Sequence, residues 1–212
     1  GTHDYGRIWK MDVKDGESQP GRKETKSLLA EDFSKRGDTE LGDLLKNADM
    51  RVRLKAQFEL AKRPGKGAEV FKNYLQQKDN QLARVHAVWG ISQLARKDKK
   101  YAESLLPYLK DSDPEIRAQV ARWLGDIKYK EAGDAIIPLL KDEYSRARFF
   151  AAEALGRMQH QSAVQPIIEF LKANNDEDAY LRHAGSLALS RIGQSEPLVA
   201  LSGNPSRALR IA

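Results

Sequence analysis

Residues 113–125 read Asp-Pro-Glu-Ile-Arg-Ala-Gln-Val-Ala-Arg-Trp-Leu-Gly, and this stretch decides the fold. It opens with a helix N-cap residue, a proline at the first helical position and an acid in the first turn, three signals that mark a helix start. Apolar residues then recur at intervals of three and four, which is typical of a helix that buries one face. The stretch therefore predicts one amphipathic helix that ends near Gly125.

The same pattern returns along the chain: an acid, an apolar-Arg pair, small residues three and four places later, and then a further apolar residue. We call the arginine of each copy the register arginine. The register arginines are Arg53, Arg84, Arg117, Arg148, Arg182 and Arg210. Successive register arginines lie 28 to 34 residues apart, so the sequence is an internal repeat of nearly constant period.

A second recurring stretch lies between these copies. Residues 104–111 read Ser-Leu-Leu-Pro-Tyr-Leu-Lys-Asp, and residues 135–142 read Ala-Ile-Ile-Pro-Leu-Leu-Lys-Asp. Each unit thus carries two helical patterns, and a unit of about 31 residues holds two helices of roughly 11–14 residues with two short turns. Because no unit can bury its apolar face alone, stacking of the units completes the core. The sequence predicts an all-α, right-handed α-solenoid of about five and a half two-helix repeats over residues 38–212.

These matched spacings resemble the HEAT-like repeat, an armadillo-like fold, in the short form also found in phycobilin lyases. The resemblance covers residues 38–212 and says little about chemistry, because one fold serves many functions. In such repeats the acid four residues before the register arginine commonly pairs with an arginine of the same or an adjacent unit. The resemblance thus implies a structural ladder made of Asp49, Arg53, Arg84, Asp113, Arg117, Arg148, Asp178 and Arg182.

The register arginines have a second interpretation, a stripe that follows nucleic-acid phosphates. The chain has 36 Lys and Arg against 30 Asp and Glu, and both signs are interspersed. Dedicated nucleic-acid binders usually concentrate basic residues on one face, so a nucleic-acid partner is disfavoured. The alternative function is a DNA-binding protein that resembles the alkylpurine DNA glycosylases of this fold. Trp89, Arg122 and Asp126 match the residue types of those enzymes only loosely.

The sequence excludes several kinds of site. It contains no cysteine, which rules out a disulfide framework, a thiolate zinc site, an iron–sulfur cluster and a covalently attached c-type haem within this chain. It has no Gly-rich phosphate loop and no nucleophile elbow, and no apolar run approaches the roughly 20 residues of a membrane span. We predict no catalytic residue, no metal and no cofactor. A chromophore lyase or isomerase activity has no support beyond the repeat itself.

Aromatic and arginine side chains flank the core stripe of the second helix of each unit. Two and five positions after the register arginine, the sequence places Phe58, Trp89, Arg122 and Phe150. Second helices usually line the concave face of a solenoid, and aromatic and Arg side chains are common anchors of protein interfaces. We predict that these four residues form a partner-binding concave surface. The alternative, in which the aromatic rings pack sideways between helices, stays open.

The beginning of the chain does not share the repeat. Residues 5–13 alternate like a β-strand. Residues 14–26 are polar and predict a linker, and residues 27–33 predict a short helix that leads into the array. The segment Tyr-Gly-Arg-Ile-Trp-Lys at residues 5–10 resembles the closing strand of the β-propellers of soluble sugar and sorbosone dehydrogenases.

The resemblance implies a larger parent protein, because large secreted bacterial proteins combine such a propeller with HEAT-like repeats and a cytochrome c domain. Residues 1–13 would be the last propeller strand, residues 14–37 a linker and lead-in helix, and residues 38–212 an array that stops within its last repeat. The parent would be periplasmic or secreted, with its quinone and haem sites outside this chain. We therefore expect a non-catalytic scaffold or protein-interaction module whose partners are neighbouring domains or another protein.

Overall fold

A computed structural model describes residues 14–211, so the strand expected over residues 5–13 lies outside the described residues. Within this range every regular element is helical, which confirms the all-α prediction. The α-helices are α1 Pro20–Ala30, α2 Asp38–Leu44, α3 Met50–Leu60, α4 Pro64–Gln76, α5 Gln81–Ala95, α6 Pro114–Asp126, α7 Gly133–Ile136, α8 Ser145–Met158, α9 Val164–Asn174, α10 Ala179–Ile192, α11 Ser195–Ala200 and α12 Arg207–Ile211. The 3-10 segments are Gly16–Ser18, Phe33–Lys35, Lys99–Lys110, Lys130–Ala132, Ile137–Lys141 and Gln161–Ala163.

The helices form two layers, as the repeat predicts. The second helices of successive units are α3, α5, α6, α8 and α10, and each of them packs along the next. The first helices cover the opposite side, where α4 packs on α5, the 3-10 segment Lys99–Lys110 on α6, and α9 on α10. Each unit therefore completes the core of its neighbour, and the α-solenoid prediction is confirmed.

In two units the first helix is not a regular α-helix. Pro107 lies inside the 3-10 segment Lys99–Lys110, and Pro138 lies in the segment Ile137–Lys141 that directly follows the short α7. Proline has no N–H to donate, and its ring clashes with the preceding turn of an α-helix. A tighter 3-10 path accommodates it. The pattern of two helices per unit holds, but the expected α-helix of 11–14 residues is wrong for these two first helices.

Small residues let the second helices approach closely. A Cβ atom added to Gly125 of α6 would lie 2.6 Å from the Cα of Ala154, and one added to Gly156 of α8 would lie 2.6 Å from the Cα of Ala188. Real Cβ atoms essentially never come that close, so only glycine fits at these two crossings. Gly193 has a different role, because it ends α10 with a φ of 78°.

The linker expected over residues 14–26 is wrong in its second half, because α1 begins at Pro20. Proline suits the first turn of a helix, and the polar residues after it are good helix formers. The lead-in helix ends at Ala30 and not at Phe33, which is buried in a 3-10 turn. Lys55 of α3 holds this junction, since its Nζ donates to the carbonyl oxygen of Leu29 at 2.8 Å.

Candidate functional site

The register arginines hold the turns that join the two helices of a unit. Nη1 of Arg117 donates to the carbonyl oxygens of Asp111 at 2.8 Å and Ser112 at 3.4 Å, six and five residues earlier. The same pair of hydrogen bonds recurs in three other units, from Arg53, Arg148 and Arg210. Each arginine therefore ties a turn to the helix that follows it.

Two register arginines also form an ion pair with a carboxylate of the next unit. Arg84 makes a bidentate pair with the Asp111 carboxylate at 3.1 and 2.6 Å, and Arg117 makes one with Asp142 at 2.7 and 2.8 Å. The Arg84 and Asp111 side chains are only 3% and 7% exposed. Burial raises the pKa of Asp111, but the hydrogen bonds from Arg84 and from the amide of Asp113 outweigh it, so the pKa lies below its usual value.

The acids predicted to pair with arginines do not pair with the register arginines, although the Asp49 carboxylate accepts hydrogen bonds from Nε and Nη2 of Arg51 in its own unit at 3.0 and 2.8 Å. Asp49, Asp113 and Asp178 are instead N-caps, whose side chains accept hydrogen bonds from the first backbone amides of α3, α6 and α10. An N-cap carboxylate is engaged by those amides and by the positive end of the helix dipole. The carboxylates that pair with a register arginine of the preceding unit, Asp111 and Asp142, lie six residues before the register arginine of their own unit. Their sequence signal is the shared Lys-Asp ending of the two repeated stretches.

The cross-unit pairs stop after the third register arginine. The side chain of Arg148 donates its hydrogen bonds to backbone carbonyls, and Asp176, at the equivalent place in the next unit, pairs with Arg182 of its own unit. The turn before α10 is longer, and Asn175 and Asp176 both have positive φ. It opens a cavity of about 420 Å³ beside Arg148. The ladder is therefore interrupted between the fourth and fifth units.

A buried histidine lies against the first register arginine. Nε of Arg53 donates to Nε2 of His86 at 3.0 Å, and Nδ1 of the ring lies 2.8 Å from Oε1 of Gln57. Because Nε2 accepts a hydrogen bond, the ring proton belongs on Nδ1 and is donated to Gln57. His86 is 2% exposed. Burial, and then the charge of Arg53, lower its pKa to about 4, so the ring is neutral at neutral pH.

The four residues predicted to bind a partner lie on consecutive second helices, and we call the surface they define the second-helix face. Phe58 of α3 is 50% exposed, whereas Trp89 of α5, Arg122 of α6 and Phe150 of α8 are partly buried. Nε1 of Trp89 donates to Oε1 of Gln119 on the next helix at 2.9 Å. Trp89 therefore packs sideways between helices, which is the alternative arrangement considered for the aromatic rings. Phe58, in contrast, is available to a partner.

The structure brings Arg122 and Phe150 together in a larger cluster. The Cζ of Arg122 lies 5.2 Å from the ring centroid of Trp123 and 5.4 Å from that of Phe150. Arg96 lies 5.2 Å over Trp123, and Arg146 lies 5.5 Å over Phe150. These five residues form what we call the cation–aromatic stack, which runs from the end of α5 across α6 to α8. A single repeat does not reveal it, because Arg96, Arg122 and Arg146 come from three different units and meet only when the units pack together.

Two shallow grooves flank Arg146 on the same side of the molecule. One has a volume of about 470 Å³, and its lining includes Leu82, Trp89 and Tyr144. The other has a volume of about 310 Å³, and its lining includes Phe150 and Tyr180. Leu82 is 49% exposed and Tyr180 is 79% exposed. Exposed apolar side chains therefore lie beside Arg146, and the grooves are also lined by Asp113, Glu115 and Asp178.

The described residues hold neither a cluster of metal-ligating side chains nor a helix able to span a membrane. Among residues 14–211, no group of three or more His, Asp or Glu side chains is placed to hold a metal ion. In the same range, none of the helices combines the length and apolar character that crossing a bilayer demands. The strongly perturbed histidine, His86, is 2% exposed and is enclosed by Arg53, Gln57 and the ring of Trp89.

Comparison with solved structures supports the fold. The complex of CpcE and CpcF of phycocyanin lyase from Nostoc sp. PCC7120 is 20% identical, with a TM-score of 0.57 over 85% of this chain and 76% of that one. An engineered protein is 17% identical, with a TM-score of 0.53 over 86% of this chain and 94% of that one. A designed armadillo repeat protein in complex with the peptide (KR)4 is 17% identical, with a TM-score of 0.50 over 82% and 95%.

At the sequence level, no curated protein matches the chain. The family model described as HEAT repeats does match, over residues 68–149, 102–189 and 133–211. These overlapping matches span more than half of the chain and follow the units seen in the structure. The chain therefore belongs to the HEAT repeat family.

Proposed function

We propose that this chain is a non-catalytic solenoid module that binds a protein partner on its second-helix face. One observation carries the proposal: large apolar side chains stay exposed on this side, led by Phe58, Leu82 and Tyr180. Phe58 stands five positions after its register arginine, and Leu82 and Tyr180 stand two positions before theirs. The two offsets differ by seven residues, which is two helical turns, so they place side chains on one face. Large exposed apolar side chains that recur on one face of a solenoid suit an interaction site.

The DNA-binding alternative loses the feature that motivated it. The register arginines that were to follow phosphates donate to backbone carbonyls, and two of them are paired with Asp111 and Asp142. A guanidinium whose donors are already engaged offers little to a phosphate backbone. The similarity to a designed armadillo protein that holds a peptide supports a peptide-like partner over a nucleic acid.

The wider setting remains a proposal that rests on sequence alone. The propeller-like segment at residues 5–10 lies outside the described residues, and it supports a scaffold role between a dehydrogenase-like propeller and a cytochrome c domain in the periplasm. Sequencing the gene on both sides of this segment tests that setting. We expect a propeller before residue 1 and a CxxCH motif after residue 212. Unrelated flanking sequences would contradict the dehydrogenase-like parent protein but would leave the proposed protein interaction unaffected.

Selection from a display library tests the interaction role. Random peptides of about 12 residues, which reach roughly 40 Å when extended, are selected on the full chain. We expect selected peptides to bind at least about tenfold more weakly to the triple variant Phe58→Ser, Leu82→Ser, Tyr180→Ser. The matched control replaces three exposed lysines on the opposite side, and its substitutions are Lys110→Ser, Lys141→Ser and Lys172→Ser. Failure to enrich any peptide, or equal loss in both variants, would overturn the proposal.

A further inference from the structure

We propose that the second-helix face selects acidic segments of its protein partner through the three guanidinium groups of the cation–aromatic stack. This inference rests on the proposed function and names the chemistry of the partner. The central guanidinium belongs to Arg122, which lies between the rings of Trp123 and Phe150. Within residues 14–211, the Arg122 side chain contacts these two rings and has no hydrogen bond or ion pair beside them.

A guanidinium that stacks on rings keeps its donors free. A contact between the guanidinium carbon and a ring uses none of the five N–H groups as a donor to an oxygen, and these groups form a fork that fits a carboxylate. The Arg96 side chain likewise has no hydrogen bond or ion pair in the described part of the chain, where it lies over the ring of Trp123. Both arginines are held by stacking, so less rotamer freedom is lost when an anion binds.

Arg146 is only weakly engaged. Its Nη1 lies 3.6 Å from Oε1 of Glu115, and its side chain is 48% exposed. A pair at that distance and exposure contributes little, so an incoming carboxylate can replace it. The three arginines differ in this respect from Arg157, whose Nη1 lies 2.9 Å from Asp126. The arginines of the cation–aromatic stack therefore keep positive charge available to a ligand, whereas the charge of the neighbouring Arg157 is neutralised by Asp126.

The surroundings favour a short acidic segment of protein. Asp126 and Glu153 both pair with Arg157, and Glu115 lies beside Arg146, so carboxylates interrupt the basic surface in both directions. A continuous phosphate backbone would meet these carboxylates and be repelled, whereas a segment with two or three acids fits between them. The apolar residues in the two grooves beside Arg146, among them Leu82, Trp89 and Phe150, offer contacts to aliphatic or aromatic side chains next to those acids.

The composition of selected peptides tests this inference on the full chain. We expect Asp and Glu to be enriched about threefold over Lys and Arg among peptides that need the second-helix face. If the peptides depend on that face but show no acidic bias, the inference fails and the proposed function stands. If no peptide is enriched, the proposed function itself fails. If a single-stranded DNA of about 12 nucleotides binds as tightly as the best peptide, the occupant is a nucleic acid and the inference is overturned.

Variants of the stack provide the matched test. Arg122→Gln removes the charge and the fork, and we expect about tenfold weaker binding of the best acidic peptide. Arg122→Lys keeps the charge and loses the planar fork, so an intermediate loss is expected. Arg207→Gln, an exposed arginine on α12 outside the stack, is the control and leaves binding unchanged. Unchanged binding in Arg122→Gln, with its circular dichroism spectrum preserved, would refute the inference.

Discussion

Two sets of arginines on the same helices behave in opposite ways. On α6, Arg117 is 13% exposed and forms a bidentate pair with Asp142, whereas Arg122, five residues later, lies between two aromatic rings with its donors unengaged. We call the side of the solenoid where the turns before the second helices lie the turn edge. Arginines at the turn edge thus join neighbouring units, whereas Arg122 on the second-helix face keeps its N–H groups unengaged. The position around the helix, rather than the residue type or the net charge, decides which arginines can bind a partner.

The largest test of this division removes a buried register arginine. Arg84→Ala leaves Asp111 buried without its partner and frees the carbonyl of Leu75, which Nε of Arg84 contacts at 2.9 Å. We expect the free energy of unfolding to fall by about 3–5 kcal/mol in urea denaturation. Arg84→Met combined with Asp111→Leu removes both charges and should lose less. A loss below about 1 kcal/mol for Arg84→Ala would show that the turn edge is not a structural ladder.

The buried histidine at the same edge makes stability depend on pH. The pKa of His86 is about 4 in the folded protein, against an ordinary value of 6.5. The unfolded chain therefore binds a proton that the folded protein rejects, and stability falls as pH is lowered from about 6.5 to about 4. The loss approaches about 3 kcal/mol. Urea denaturation across this range measures it, and His86→Gln should flatten the profile. Equal slopes in both proteins would contradict the buried, neutral ring.

A glycine substitution tests the close contact between the second helices α6 and α8. Gly125→Ala drives a methyl group to 2.6 Å from the Cα of Ala154, so we expect a loss of about 1–3 kcal/mol in the free energy of unfolding. Gly65→Ala is the matched control, because nothing lies within 4 Å of its Cβ position in α4. The control should be stabilised by about 0.4–1 kcal/mol. Similar melting temperatures for the two variants would be inconsistent with the observed crossing.

We expect the smallest effect on stability at Arg148, where the ladder of cross-unit pairs is interrupted. Arg148→Ala removes hydrogen bonds to two carbonyls, those of Asp142 and Glu143. Removal of Arg84 leaves a buried carboxylate of the next unit without its partner, whereas removal of Arg148 does not. We therefore expect Arg148→Ala to lower the free energy of unfolding by about 1–2 kcal/mol. Urea denaturation of the two variants side by side measures the difference. An equal loss would mean that a cross-unit pair contributes nothing beyond the turn contacts.

The sequence predicted the repeat but not the partners of its arginines. Spacing alone located the second helices, because a residue's offset from the register arginine fixes its place on a helix. Offsets do not say which neighbour supplies a partner, and so Asp113 was paired with an arginine although the first amides of α6 engage it. The cation–aromatic stack joins residues from three units at different offsets. Only packing of the units brings Arg96 and Arg146 into one cluster, so no single repeat carries its signal.

The most direct test of the division compares two substitutions on one helix. Arg117→Gln and Arg122→Gln are each measured by urea denaturation and by binding of the best selected acidic peptide. We predict that Arg117→Gln lowers the free energy of unfolding by about 3 kcal/mol and leaves the affinity of the folded protein unchanged. Arg122→Gln should change stability by less than about 0.5 kcal/mol and weaken binding about tenfold. The reverse pattern, or equal effects of both substitutions on both readouts, would contradict the division between joining and binding arginines.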